Sequence, residues 1–347
     1  MIPFFHIHRG LIETSDKSTM PLNVNFDTPA PAQLDHVKWI HGSVSSKHNT
    51  DPDLQVHRYN DHTIILRQNK AVHYEAPFLF LLFGNERAIL FDTGSTKSPD
   101  YFPLRATVDA LVEEWLDLHG EGKHTEEAST YELVVAHTHL HRDHYEGDEQ
   151  FQGRSNTRMV EKTLQGTKTF YGFTNWPYDI PSFDLGGRSL LVIATPGHED
   201  AEVTIYDPYS QILLTGDLIL PGRLYVRDWP EFAASIDRLV DFCGQHTVTH
   251  LVGCHIEMSK YPKIDYLIRT TYQPHERALP MTVQQLKLVQ HAVKEIDGKK
   301  GHYIYDDFHI VYPPPERYFA YENMDDEAEA GDVCQACRLE REGKFLP

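Results

Sequence analysis

Thr138-His139-Leu140-His141-Arg142-Asp143-His144 is the stretch from which the rest of the chain is read. Its histidines and aspartate directly follow the apolar run Leu133-Val134-Val135-Ala136, which predicts a buried strand. In extended or turning backbone just past a strand, His139 and His141 point the same way, so both imidazoles can reach one metal ion. Asp143 and His144 follow at the next turn and can reach a second. Imidazole with carboxylate is a donor set for zinc, and equally for iron or manganese. The plain alternative is a surface run of histidines, since the chain holds 22 of them in 347 residues. The added Asp-His, the strand before and Gly147 after argue against it.

Working outward, the apolar runs at 37–41 and 54–68 read as strands, the second with Thr63 to Leu66 as its buried part. Residues 78–83 and 88–91 form a hairpin about Gly84-Asn85. Asp92 closes that hairpin at the edge where the histidines emerge, suited to accept a hydrogen bond from a ligand imidazole and fix its tautomer. Its alternative role is a turn-forming residue before Gly94. Residues 106–119 have helical spacing, with Val108, Leu111, Val112, Trp115 and Leu118 as the buried stripe. Alternating strands are expected over 158–194, interrupted by an aromatic loop from Phe170 to Pro177.

A strand at 190–194 leads through Thr195-Pro196-Gly197 to His198, and strands at 201–206 and 212–215 pair before Asp217. Residues 230–242 read as a helix started by Asp228, with Phe232, Ile236, Leu239 and Val240 as its core face. A strand at 248–253 ends at His255. From 256 to 280 no period appears, and a loop of that length is usually functional or mobile. Thr282 to Gln285 opens the last strong helix as a capping box, and a final strand is expected over 303–312.

Thr138 to Gly147 resembles the THxHxDHxxG signature of the metallo-β-lactamase fold superfamily. Further stretches match that family's motifs in order: Phe91-Asp92-Thr93-Gly94, Thr195-Pro196-Gly197-His198, Leu214-Thr215-Gly216-Asp217 and Gly253-Cys254-His255. The resemblance implies an α/β fold, a four-layer αββα sandwich of two mixed β-sheets flanked by helices. It implies one metal held by His139, His141 and His198, a second held by Asp143, His144 and His255, and Asp217 bridging them. Asp92 takes the supporting position behind the ligands. Two divalent ions are implied, foremost Zn2+, with Fe or Mn as alternatives.

The mechanism this implies is attack on a carbonyl by a hydroxide shared between the metals, with Asp143 and Asp217 as catalytic carboxylates. His73 and Tyr74, on a loop that overhangs the metals in proteins of this fold, are candidates for substrate contact, as are Tyr225 and Tyr266. Asp217 as bridge resembles glyoxalase II, quorum-quenching lactonases and phosphodiesterases, and differs from β-lactamases that place a Cys there. The expected activity is hydrolysis of a small ester, lactone or thioester. An iron-dependent oxidoreductase of the persulfide dioxygenase kind, a phosphodiesterase or β-lactamase, and a metal-binding protein without catalysis are the alternatives.

Composition bounds the rest. Hydrophobic residues make up 40% and aromatic residues 11%, enough for a sizeable core. A net charge of −19 with no basic run argues against a nucleic-acid partner. The first residues carry no basic-then-apolar leader and no segment reaches ~18 apolar residues, so no membrane partner is expected. The reading is a soluble, cytoplasmic protein with a small-molecule substrate and no assigned oligomeric state. Its organisation is an N-terminal arm over 1–36, a domain over 37–322 that includes the 256–280 loop and the C-terminal helix, and an acidic flexible tail over 323–347. His6 and His8 read as surface residues. Cys243 and Cys254 read as reduced and buried, and Cys334 with Cys337 as a lone CxxC without a metal.

Overall fold

The computed structural model describes residues 22–120 and 131–315. Six strands form the first sheet in chain order: β1 (Leu54–Asn60), β2 (Thr63–Gln68), β3 (Phe78–Phe83), β4 (Arg87–Phe91), β5 (Glu132–Ala136) and β6 (Thr157–Met159). β1 to β4 run antiparallel, whereas β4, β5 and β6 are parallel. The crossover from β4 to β5 carries helix α1 (Leu104–His119), as a parallel connection requires. A second sheet contains β7 (Ser182–Asp184), β8 (Ser189–Ala194), β9 (Val203–Asp207), β10 (Ile212–Gly216), β12 (His250–Gly253) and β13 (Pro280–Met281), in the order β13-β12-β10-β9-β8-β7. Beside it lies a third, small sheet of β11 (Arg223–Tyr225), β15 (His309–Tyr312) and β14 (Gly301–Ile304).

The layering follows from alternation along buried strands. In β3, Phe78, Phe80 and Leu82 point into the core between the two large sheets, while Leu79, Leu81 and Phe83 face α1. In β8, Leu190, Val192 and Ala194 meet that same inter-sheet core, whereas Ile193 packs on α4 (Trp229–Gln245) and α5 (Val283–Ile296). Both faces of each sheet are covered, which is why β3 reads apolar at every position. The result is the expected four-layer αββα sandwich.

Local chemistry sets the helix ends. The Asp228 side chain caps α4 by accepting from Glu231 N at 3.1 Å. Thr282 and Gln285 form the expected capping box of α5. In α1 the buried stripe includes Leu116 and not Leu118, which is 68% exposed. Leu118 lies six residues past Val112, roughly 240° around the helix, so it leaves the face that Leu116 continues.

Other expectations are corrected. Residues 37–41 form no strand: Trp39 and Ile40 are buried, but Ile40 N donates to the Gln55 side chain instead of a ladder partner. The 54–68 and 303–312 stretches are each a hairpin, β1–β2 and β14–β15. The aromatic stretch after 163 begins as helix α3 (Leu164–Tyr171), capped by Thr163 Oγ1 and ended by Gly172 at φ +80°. The 256–280 segment is an ordered strap held by buried ion pairs. Arg67 grips Glu276 through its two terminal nitrogens, Nη1 and Nη2, at 2.6 Å, and Arg223 holds Glu257 at 2.7 Å and Asp265 at 2.8 Å.

At the edge formed by the β3–β4 turn, Arg188 and Asp207 form a buried pair at 2.5 Å, and Arg188 also donates to the carbonyls of His62 and Phe83. This ties the second sheet to the first. The described part of the arm packs along the sandwich, with Leu34 buried, Asn60 Nδ2 donating to Ala30 O and Ala30 N to Tyr209 O. His6, His8, the CxxC of Cys334 and Cys337, and the 323–347 tail lie outside the described residues. No helix among the described residues is long and apolar enough to cross a membrane.

Candidate metal centre

β4 and β5 run parallel in one sheet, and β8, β10 and β12 share a direction in the other, so their C-terminal ends deliver side chains to one edge of the sandwich. β5 leads to His139, His141 and the short helix α2 (Arg142–Tyr145), which carries Asp143 and His144. β8 leads to His198, β10 to Asp217 and β12 to His255. Two glycines permit the turns. Gly197, at φ +137°, lies so close to α4 that a Cβ would sit 2.4 Å from Phe232 Cα. Gly216, at φ +54°, leaves the turn into Asp217 in the left-handed region that glycine tolerates.

These ends bring every expected ligand together in two clusters. In the first, His139 Nε2 and His198 Nε2 each lie 3.1 Å from His141 Nδ1. In the second, Asp143 Oδ2 lies 3.2 Å from His255 Nε2 and 3.4 Å from His144 Nε2, and those two nitrogens are 3.3 Å apart. Asp217 Oδ2 stands between the clusters, at 3.9 Å from both His139 and His198 Nε2, 3.7 Å from His144 Nε2 and 3.5 Å from His255 Nε2. Its other oxygen, Oδ1, is buried with no hydrogen-bond partner among the described residues.

Five imidazoles and two carboxylates converging this tightly, with a buried carboxylate oxygen left over, are a donor set suited to divalent metal ions. Cys254 also lies near Asp92 and His144, but burial and then Asp92 push its thiol pKa well up. It remains a thiol that donates to Asp92 Oδ2 at 3.4 Å.

Supporting bonds orient the imidazoles. Asp92, fully buried in the left-handed region at φ +67°, accepts from Thr138 N at 2.7 Å and Thr138 Oγ1 at 2.8 Å, and lies 2.9 Å from His144 Nδ1. A carboxylate at this distance favours a proton on Nδ1, which leaves His144 Nε2 turned toward the cluster. Backbone carbonyls do the same elsewhere, with Tyr225 O at 2.9 Å from His198 Nδ1 and Glu75 O at 3.1 Å from His255 Nδ1.

The clusters differ in charge. Burial, followed by neighbouring imidazoles, drives His139 well below the ordinary range, and burial with His198 brings His141 down to about 3. Burial also lowers His198, so the first cluster is neutral. Burial opposes protonation of His144 and His255 as well, but the carboxylates win: Asp143 and Asp92 raise His144 well up, and Asp217 and Asp143 raise His255 to about 9. Asp217 is held near 2, against the desolvation that would raise it, by His255 and His144. In the metal-free chain, protons occupy the second cluster's side of the site.

Of the substrate-contact candidates, His73 and Tyr74 stack with ring centroids 4.6 Å apart on the loop whose Glu75 carbonyl faces His255. Lys70 Nζ braces that loop through Tyr74 O at 2.9 Å. Tyr225 is buried on β11, and its part in the site is the carbonyl that faces His198. Tyr266 is corrected: it is 1% exposed, its hydroxyl accepts from His275 N at 2.8 Å, and its carbonyl accepts from Arg223. It packs the strap internally. Sequence reasoning missed Glu202, whose carboxyl accepts from Asp217 N, and the two carbonyls; a glutamate in an apolar strand context was the only available signal.

The family model described as metallo-beta-lactamase superfamily matches residues 76–248. Among curated relatives, a hydroxyacylglutathione hydrolase of Brucella anthropi is 32% identical over 114 residues, covering 32% of this chain and 44% of the relative. The human acyl-coenzyme A thioesterase MBLAC2 is 24% identical over 212 residues, covering 51% of this chain and 72% of that protein. The chain thus spans less than half the length of the first relative. A metallo-beta-lactamase from Pontibacter korlensis aligns in three dimensions with a TM-score of 0.44 at 18% identity, over 70% of this chain and 99% of that one.

Proposed function

The chain belongs to the metallo-β-lactamase superfamily, and from that premise we propose that it is a dinuclear metallo-hydrolase of a small ester, lactone or thioester. The observation that carries the reading is Asp217 Oδ2, within 3.5–3.9 Å of imidazole nitrogens from both clusters. A carboxylate so placed would be able to serve two cations at once. His139, His141 and His198 would hold one ion, and Asp143, His144 and His255 the other. Zinc is the foremost candidate, with iron or manganese compatible with the same donors. When bound, such a pair of ions lowers the pKa of a shared water and polarises the substrate carbonyl.

The chain's own residues supply the rest. Asp92, the Tyr225 carbonyl and the Glu75 carbonyl hold protons at His144, His198 and His255 Nδ1, so each Nε2 lone pair is directed inward. Asp143, whose side chain is 21% exposed against 11% for Asp217, is the more open carboxylate and can accept a proton from the attacking water at an Oδ atom. That proton passes to the departing oxygen or sulfur as the acyl bond breaks. His73 and Tyr74 stand on the neighbouring loop to contact the substrate.

Both relatives' names describe acyl groups on thiol compounds, so thioesters head the panel to be tested. The assay compares purified, metal-stripped and zinc-reloaded protein on thioesters, lactones, simple esters, phosphodiesters and β-lactams. The reading expects turnover in one of the first three classes, abolished by stripping and restored by reloading. Iron as the native metal with oxygen-dependent chemistry and no hydrolysis would replace it with the oxidoreductase alternative.

A further inference from the structure

β9 begins at a junction between the two ligand-bearing loops. Val203 N donates to the Thr138 carbonyl at 2.9 Å, which fixes the backbone immediately before His139. One residue earlier, Glu202 is fully buried and its Oε1 accepts from Asp217 N at 2.9 Å. The turn carrying Asp217 is built around this carboxyl: a Cβ on Gly216 would stand 2.8 Å from Glu202 Oε1 and 3.2 Å from Thr138 Cβ. Glu202 Oε2 is buried and has no hydrogen bond of ordinary geometry among the described residues, although the Leu218 backbone also lies against the carboxyl. A carboxyl kept in such a place, where its desolvation is costly, needs a compensating role. Packing alone would be met better by an apolar side chain.

We propose that Glu202 is the positioning residue that seats the bridging carboxylate: through its bond to Asp217 N, with the adjacent Val203–Thr138 bond, it sets the spacing between Asp217 Oδ2 and the imidazoles of both clusters. The proposal rests on the two-metal reading of the site. Removing the acceptor frees the Asp217 backbone to shift, and a bridge that must reach two ions tolerates a shift worse than a ligand to one. The loss therefore falls on the second equivalent of metal more than on the first. Supporting groups of this kind typically govern about 10- to 100-fold in metal affinity.

The test titrates zinc into the metal-stripped full chain against a competing chelator, and records the visible spectrum of the cobalt(II)-loaded protein. Glu202→Met removes the acceptor at similar size, and Glu202→Gln retains an oxygen that can accept from Asp217 N. The expected result is two ions in the unmodified chain, a second ion weakened about 10- to 100-fold in Glu202→Met with an altered cobalt spectrum, and recovery of both in Glu202→Gln. Should Glu202→Met fail to fold, Glu202→Ala takes its place, since it also removes the acceptor and leaves the Gly216 turn unaltered. Two ions bound as tightly in the variant as in the unmodified chain would overturn the positioning role alone. A single ion in the unmodified chain would remove the two-metal reading and the role together.

Discussion

Replacing Asp92 with Asn changes one atom of a buried side chain and sets two of its partners against each other. Asp92 Oδ1 accepts from Thr138 N at 2.7 Å, while Oδ2 lies 2.8 Å from Thr138 Oγ1 and 2.9 Å from His144 Nδ1. If the amide oxygen stays on Thr138 N, the new NH2 faces His144 Nδ1–H, donor against donor. If the amide flips, the clash moves to Thr138 N–H. His144 can relieve the first arrangement only by moving its proton to Nε2, the atom directed at the second cluster. One charge-assisted hydrogen bond is therefore lost whichever way the amide lies, at a cost of about 1.5–3 kcal/mol. At 1.4 kcal/mol per decade this is roughly a 10- to 150-fold loss of affinity. With the amide oxygen on Thr138 N, we predict that Asp92→Asn weakens the zinc site that includes His144 by that amount in a chelator-competition titration and leaves the other nearly unchanged. Equal weakening of both sites, or of neither, would refute the assignment of Asp92 to His144.

Four further outcomes follow from the structure. Because His255 is raised to about 9 and His144 is raised with it, metal entering the second cluster must expel protons; calorimetry at pH 7 in buffers of different ionisation enthalpy should show their release, and its absence would contradict the charge assignment. The same shift has a sign for the metal-free chain: a folded pKa above the ordinary 6.5 stabilises fully below 6.5, and that contribution is lost as pH rises through about 9, so the metal-free melting temperature should fall across that window. Asp207→Ala leaves Arg188 buried without its carboxylate and should lower unfolding stability by about 3–5 kcal/mol, read from denaturant midpoints; a loss below 1 kcal/mol would mean the pair is not the tie between the sheets. Tyr266→Phe should cost about 1 kcal/mol through the bond from His275 N, while substrate ranking stays as in the unmodified chain; a changed ranking would return Tyr266 to the pocket.

The site was the most legible part of the sequence because its chemistry is concentrated. His139, His141, Asp143 and His144 sit in one run, and His198, Asp217 and His255 each follow an apolar strand through a glycine-containing turn. Asp92 could be assigned because a carboxylate at the end of a neighbouring strand has an obvious imidazole partner. The carbonyls of Tyr225 and Glu75 could not, since every residue carries one and only the fold selects which is used. Glu202 was hidden for a related reason: its role depends on the backbone of Asp217, fifteen residues away. Element errors have local causes. Phe170 and Tyr171 read as loop aromatics because Gly166 and two threonines dilute the helical period of α3, although Thr163 and Gly172 mark its ends. At 37–41 apolar residues are buried by packing without a strand partner, which periodicity alone cannot distinguish from a ladder. The 256–280 strap has no period because ion pairs to Arg67 and Arg223 hold it in place of a repeating hydrogen-bond pattern.

The most direct test of the two-metal account is the number of tightly bound metal ions per chain, measured side by side in the unmodified protein and in Asp217→Ala. Asp217 Oδ2 is the atom that faces nitrogens of both clusters, and its carboxylate offsets the repulsion between two cations. Without it, the ions would face each other with one charged ligand fewer between them. The account predicts two ions in the unmodified chain and one in the variant, with the fold intact and turnover lower by orders of magnitude. Two tightly bound ions and near-normal turnover in Asp217→Ala would contradict it.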